Sequence, residues 1–359
     1  MKKLLTILLV LFLTNFTPSV AEETSVLGEA ISASYEQIDI GGTPQIKQTI
    51  DVKLINGDHK GQILKTDNIL GGNPYYDINV SPKDKLVLHS SDGEYFISDH
   101  YRLNVLIVSV LIFASLVIFV GRKKGVNSLI AILITIGLIY FVLRPMILFG
   151  ISPLFGALAI SLLATIATMY MVGGVNKKSS SAVLGTIGSL IVASIMALVV
   201  IKLAKLTGFS DETTLYLYSS HPELNFISIT ASIIVLAALG AVMDIAMSIA
   251  STINEIYKNN TELSVQELFE AGMNVGRDII GTMANTLILV YMGGALPLLL
   301  LSGEIDAFKF FNLNTVVTEI TSALIGSIAL LICVPITAYI TANLIKFTDE
   351  KVKKHDIIS

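Results

Sequence analysis

Seven apolar runs dominate the chain from Leu103 onward, at 103–120, 126–143, 151–172, 182–201, 226–250, 278–301 and 316–340. At about 1.5 Å of helical rise per residue, each reaches across a hydrocarbon core of about 30 Å, the two shortest only just. A soluble domain could not hide so many, because hydrophobic residues make up 53% of the 359 residues and charged ones only 14%. The runs predict a polytopic α-helical membrane protein with about seven transmembrane helices between residues 101 and 345. The lipid bilayer is its solvent, and 346–359 follow as a cytoplasmic tail.

The segment ahead of the runs has a different character. Lys2 and Lys3, an apolar run from Leu4 to Leu13, and Ser19-Val20-Ala21 before Glu22 form the pattern of a secretory signal peptide over 1–21. Residues 22–100 alternate in short stretches at 45–55, 61–64, 75–80, 84–88 and 95–98. Turn signals at Asn56-Gly57, Gly71-Gly72-Asn73-Pro74, Ser81-Pro82 and Asp92-Gly93 separate them. This predicts a small N-terminal extracytoplasmic β domain, in the manner of an open barrel, with a modest core.

Charge sets the orientation. With the β domain outside, the inner connections and tail carry eleven cations, Arg122, Lys123, Lys124, Lys177, Lys178, Lys258, Arg277, Lys346, Lys351, Lys353 and Lys354. The outer connections carry four, Arg144, Lys202, Lys205 and Lys309. Within 22–100, 13 Asp and Glu face six Lys, which makes nucleic acid an unsuitable partner and leaves an acidic surface for an envelope protein. Between the fifth and sixth runs, Ser264 and Glu267 form a capping-box pattern, and Val265, Leu268, Phe269 and Met273 share a face. They predict a cytoplasmic amphipathic helix over 261–273.

Two runs carry polar residues that lipid would penalise. In 226–250 and just beyond it, Asp244, Ser248, Ser251 and Glu255 recur at i, i+4, i+7 and i+11, one stripe of a helix. In the sixth run, Asp278, Thr282 and Asn285 do the same at i, i+4 and i+7. A carboxylate at the centre of a span costs about 2.5 to 3.5 kcal/mol on insertion scales, so both stripes should face protein or water. Counted from the cytoplasmic boundary, Asp244 lies about 10 Å deep, Thr282 about 9 Å and Asn285 about 13 Å. If the two helices are neighbours, Asp244, Ser248, Thr282 and Asn285 converge on one ion- or substrate-binding pocket. Oxygens of this kind suit Na⁺, and a desolvated Asp244 suits a proton.

Blander readings stand beside this one. Ser, Thr and Asn in spans commonly bond to backbone or glue helices together. Asp278 and Arg277 fit the dipole and the interface at the start of a helix, and Glu255 fits a solvated helix end, so these and Ser251 are supporting residues at most. Gly293-Gly294 and Pro297 interrupt the sixth run, as an ordinary kink or as the unwound helix that lines many transporter sites.

Enzymatic signatures are missing. The sequence has no HExxH, P-loop, GxSxG or GxGxxG, and its five histidines are scattered. Asp244 and Asp278 on neighbouring spans would suit an aspartate-pair hydrolase, but Gly276-Arg277-Asp278 lacks the GxGD pattern of intramembrane aspartyl proteases. Cys333, the only cysteine, sits in an apolar run and reads as packing. No cofactor is expected beyond Na⁺ or H⁺ as a coupling ion.

The runs GAVMDIAMSIASTINEI from Gly240 to Ile256 and GRDIIGTMANTLILVY from Gly276 to Tyr291 resemble the YibE/F-like family of multipass bacterial membrane proteins. The resemblance extends to the layout of signal peptide, outer β domain and helical bundle. It implies a bacterial plasma-membrane location with the C-terminus in the cytoplasm, and no particular substrate. The expected function is a transporter or permease for an ion or small polar solute. The alternative is a nontransporting envelope sensor or assembly factor whose β domain binds a partner.

Overall fold

The computed structural model describes residues 25–91 and 94–358, with side chains through Phe347. The expected signal peptide and the Asp92-Gly93 turn lie outside the described residues. The chain divides into two compact units, one ending at Phe119 and one beginning at Val120.

In the first unit, β1 (Ser25–Ile40), β2 (Thr43–Leu54), β3 (Ile63–Leu70), β4 (Lys85–Ser91) and β5 (Glu94–His100) form one antiparallel sheet in the order β3-β2-β1-β4-β5. The longest strand, β1, is one that alternation did not predict. Its inward residues near the start are Val26, Gly28 and Ala30, small enough to hide the pattern. They are small because space is short: a Cβ on Gly28 would meet Val52 and Leu88. β1 turns into β2 through Gly41 (φ 63°) and Gly42 (φ 84°), the left-handed pair that a two-residue hairpin requires. The expected strand over 75–80 is instead part of an irregular crossover.

Ile50, Val52, Leu54, Val80, Leu86 and Leu88 fill the core of this sheet. Gln48, fully buried among them, holds the crossover down: its Nε2 donates to the Val80 carbonyl (3.1 Å) and to Asn79 Oδ1 (3.0 Å), while its Oε1 accepts from Val80 N–H (3.2 Å) and Asn68 Nδ2 (3.0 Å). The two edge strands meet where Thr66 Oγ1 donates to the Tyr95 carbonyl (2.7 Å), so the sheet curls toward a barrel.

The helical part runs α1 (Leu103–Leu138), a π-helical turn at Ile139–Leu143, α2 (Arg144–Leu148), α3 (Pro153–Gly173), α4 (Lys177–Leu203), α5 (Glu212–Ser220), α6 (Phe226–Asn259), α7 (Val265–Gly294), α8 (Leu296–Leu301), α9 (Ala307–Phe310) and α10 (Asn314–Ile358). Five stretches are long and apolar enough to cross a membrane: Leu103–Leu148, Pro153–Gly173, Lys177–Leu203, Phe226–Asn259 and Asn314–Phe347. This is a membrane protein.

The first two runs, 103–120 and 126–143, lie on two helices that meet at a kink at Arg122 (φ 48°, ψ −127°) within Leu103–Leu138. The expected amphipathic helix over 261–273 and the sixth run are one helix, α7. Its N-terminus is the capping box read from sequence, with Ser264 Oγ accepting from the Glu267 N–H (3.2 Å) and Glu267 accepting from the Ser264 N–H (2.7 Å). Those bonds from the Ser264 N–H and hydroxyl hold the Glu267 carboxyl below its usual range. Nothing between Met273 and Asp278 breaks a helix, so it continues to Gly294. It stops at Ala295, and Pro297 opens α8.

The centre of the bundle is α4, α6 and α10, with α3 and α7 packed on it. Small residues set the spacing: a Cβ on Gly185 would strike Thr337, and one on Gly276 would strike Val334. Cys333 is fully buried in this core.

Candidate functional site

The level of each stripe follows from how α6 and α7 pack. Gly272 lies against Ile253, whose Cδ1 stands 2.5 Å from where a Cβ would be. Further along, a Cβ on Gly326 of α10 would lie 2.6 Å from Leu287 Cδ2 and 3.9 Å from Ala238 Cβ. The helices are thus antiparallel, and fifteen residues on one match fifteen on the other (253 − 238 = 287 − 272). Asp244, nine residues from Ile253, stands opposite residue 281 (272 + 9), beside Thr282. Asp244 and Thr282 therefore lie at a matching level along the two helices.

Among the described residues, however, the stripes stay largely exposed. Asp244, Ser248 and Glu255 are exposed and Ser251 is half-buried; Arg277, Asp278, Thr282 and Asn285 are exposed. On α6 the exposed line is narrow: Ile233, Ala237, Gly240, Asp244 and Ser248 follow one another between buried neighbours such as Ile245 and Ile249. Gly240 and Gly281 border open space.

Each hydroxyl bonds its own helix. Ser248 Oγ donates to the Asp244 carbonyl (2.8 Å) and Thr282 Oγ1 to that of Ile279 (2.9 Å). Both keep lone pairs free, so they can still accept or coordinate. Among the described residues, no hydrogen bond or ion pair joins Asp244 to Thr282 or Asn285. Glu255 pairs with Lys258 (2.8 Å), and Arg277 bonds Asn274 (2.9 Å). An apolar bundle that exposes a carboxylate and an amide at mid-helix must present them to water or to another protein surface.

A family model described as YibE/F-like protein matches residues 109–347, and one for the YibE/F family N-terminal domain matches residues 30–100. The chain belongs to the YibE/F-like family. The YibE/F-like match takes in both stripes, and the N-terminal match takes in most of the sheet. No curated protein matches the chain, and no solved structure does.

One residue of this YibE/F-like bundle was passed over in the sequence. Glu319 is the sole charged residue of the run 316–340 and is half-buried on α10. The signal that could have found it is its solitude in an apolar stretch.

Proposed function

We propose that this protein moves an ion or small polar solute across the bacterial plasma membrane, with Asp244 as the cation or proton site and Ser248, Thr282 and Asn285 as supporting oxygens. The observation that carries the reading is the matching level of Asp244 and Thr282 on packed antiparallel helices, in a stripe of α6 that is exposed among the described residues. The β domain is placed outside and the stripe opens toward the cytoplasm, on the strength of the charge bias. In liposomes, Asp244→Asn should abolish or strongly reduce flux of the transported cation while the protein stays monodisperse. Undiminished flux in that variant removes Asp244 from the mechanism.

A second reading is supported by the independent core of the β unit, which a minimal permease does not need. In it, the acidic outer domain engages an envelope protein and the helices anchor or relay. Crosslinking of the full-length protein in cells decides: a stoichiometric partner at residues 25–100, together with liposomes silent to Na⁺, K⁺ and H⁺, favours this reading.

A further inference from the structure

In the β unit, β1 runs well past the strand that flanks its start. Its pairing with β4 spans only Ser25 to Glu29, and Ala30 makes the last backbone bonds on that side, to the Asp84 carbonyl (2.9 Å) and from the Lys83 N–H (2.7 Å). Among the described residues, only β2 pairs with β1 from Ser32 to Ile40.

The register fixes which backbone groups lie on the other edge. Ile40 and Thr43 close the two-residue turn by bonding each other, and the next residue of β2, Pro44, has no N–H to offer Asp39. Bonds alternate along an antiparallel pair, so Asp39, Gln37, Tyr35 and Ala33 turn their N–H and carbonyl groups away from β2. Among the described residues, no backbone bond reaches these groups, and Tyr35, Gln37 and Asp39 are exposed. Lysine and proline most often blunt such an edge, but β1 has neither; it carries Glu29, Glu36 and Asp39 and no cation. Lys47, opposite Glu36 on β2, is itself held by Asp67 (2.7 Å).

We propose that residues 33–39 of β1 take up an extended, basic segment of another protein as an added strand. The open N–H and carbonyl groups supply the affinity, as they do wherever a peptide extends a sheet. The side chains supply the choice of partner. Glu36 and Asp39 lie on opposite faces of β1, so an antiparallel segment meets them with two residues three apart, one on each face. Lys or Arg at those two places pairs with both carboxylates, and an apolar residue between them lies across from Ile38. A second copy of β1 would bring the same acids and no cation. The inference rests on the second reading above, in which the β domain engages an envelope protein, and names the chemistry of that partner.

The test is binding of a fluorescent Thr/Val peptide with two lysines three residues apart to the full chain in nanodiscs, read by anisotropy. The same peptide with glutamates in place of the lysines should bind about tenfold more weakly, the scale of like charges set opposite each other on paired strands. Methylating alternate backbone nitrogens of the lysine peptide should abolish binding. Gln37→Pro removes one outward donor and none of the bonds to β2, so the variant should fold and lose most of the binding. No binding by the lysine peptide overturns the proposal, as does equal binding of the two charge forms or full binding by the methylated one. If Gln37→Pro does not fold, the methylated peptide decides on wild type. Self-association of the full chain that Gln37→Pro abolishes would give the edge to a second copy and overturn the proposal too. A protein crosslinked to residues 25–100 in cells and retained by Gln37→Pro would overturn the edge while leaving the second reading in place.

Discussion

Gly272 on α7 and Ile253 on α6 are so close that a single methyl group on the glycine would collide with the isoleucine, at 2.5 Å from its Cδ1. Ala338 on α10 stands 3.0 Å from the same point, so the methyl would be caught between two helices. This contact registers the two polar stripes against each other, and enlarging it should separate them.

Gly272→Val is expected to destabilise the bundle by about 1 to 3 kcal/mol, the usual cost of overpacking. Gly281→Ala, by contrast, adds a methyl into open space and should be neutral or stabilise the helix by up to about 1 kcal/mol. Thermal unfolding in detergent compares them. A Gly272→Val protein as stable as wild type would mean that this contact does not set the register.

The same contact shows what could be read in advance. Spacing alone put Asp244 and Ser248 on one line, and Thr282 and Asn285 on another, because helical periodicity is a local property. The matching level of the two lines followed from the rise per residue. What the lines face was not: it depends on Gly272, Gly276 and Gly326 admitting Ile253, Val334 and Leu287, and these are pairings between distant segments. The continuity of α7 was missed for a related reason. Asn274, Arg277 and Asp278 look like a helix end at the interface, yet nothing in them stops a helix whose buried face, Leu268, Gly272 and Gly276, continues through. In the sheet, β2 was legible from its alternation of Ile50, Val52 and Leu54, whereas β1 was not, since its pattern rests on Gly28 and Ala30.

The capping box at the start of α7 predicts a pH dependence. Glu267 is held below its ordinary pKa by the Ser264 N–H and hydroxyl, so its contribution is fully present above the unfolded value and is lost as pH falls through the lower, folded one. Amide exchange in the first turn of α7 should accelerate, relative to its middle, as pH drops from neutral into that acidic range. Glu267→Gln should flatten the dependence. An unchanged profile in the variant would assign the acid sensitivity to another group.

In the β unit, Gln48→Leu should be costly despite its similar size. It would leave Val80 N–H without its acceptor in the core, at about 1 to 3 kcal/mol, whereas Asn68 Nδ2 keeps the Ile78 carbonyl (2.7 Å). Hydrogen exchange should report this as loss of protection at residue 80 and along β2. Protection equal to wild type would show that the crossover is held by Val80 packing alone.

The orientation of the bundle decides which compartment the Asp244 stripe opens to. The inner and outer connections differ by eleven cations to four when residues 22–100 are taken as outside, which predicts a cytoplasmic α6–α7 connection. The experiment needs a background free of native thiols. Cys333 is buried with its Sγ 3.4 Å from Thr337 Oγ1 and 3.6 Å from the Val242 carbonyl, neither contact stronger than a weak thiol bond, so Cys333→Ala should fold. In that background, cysteine introduced by Asn260→Cys should resist a membrane-impermeant maleimide in intact cells and react after lysis. Asp58→Cys should react in both, once the outer barrier is opened. Labelling of position 260 from outside would invert the bundle, and the proposed cation site would then open to the envelope.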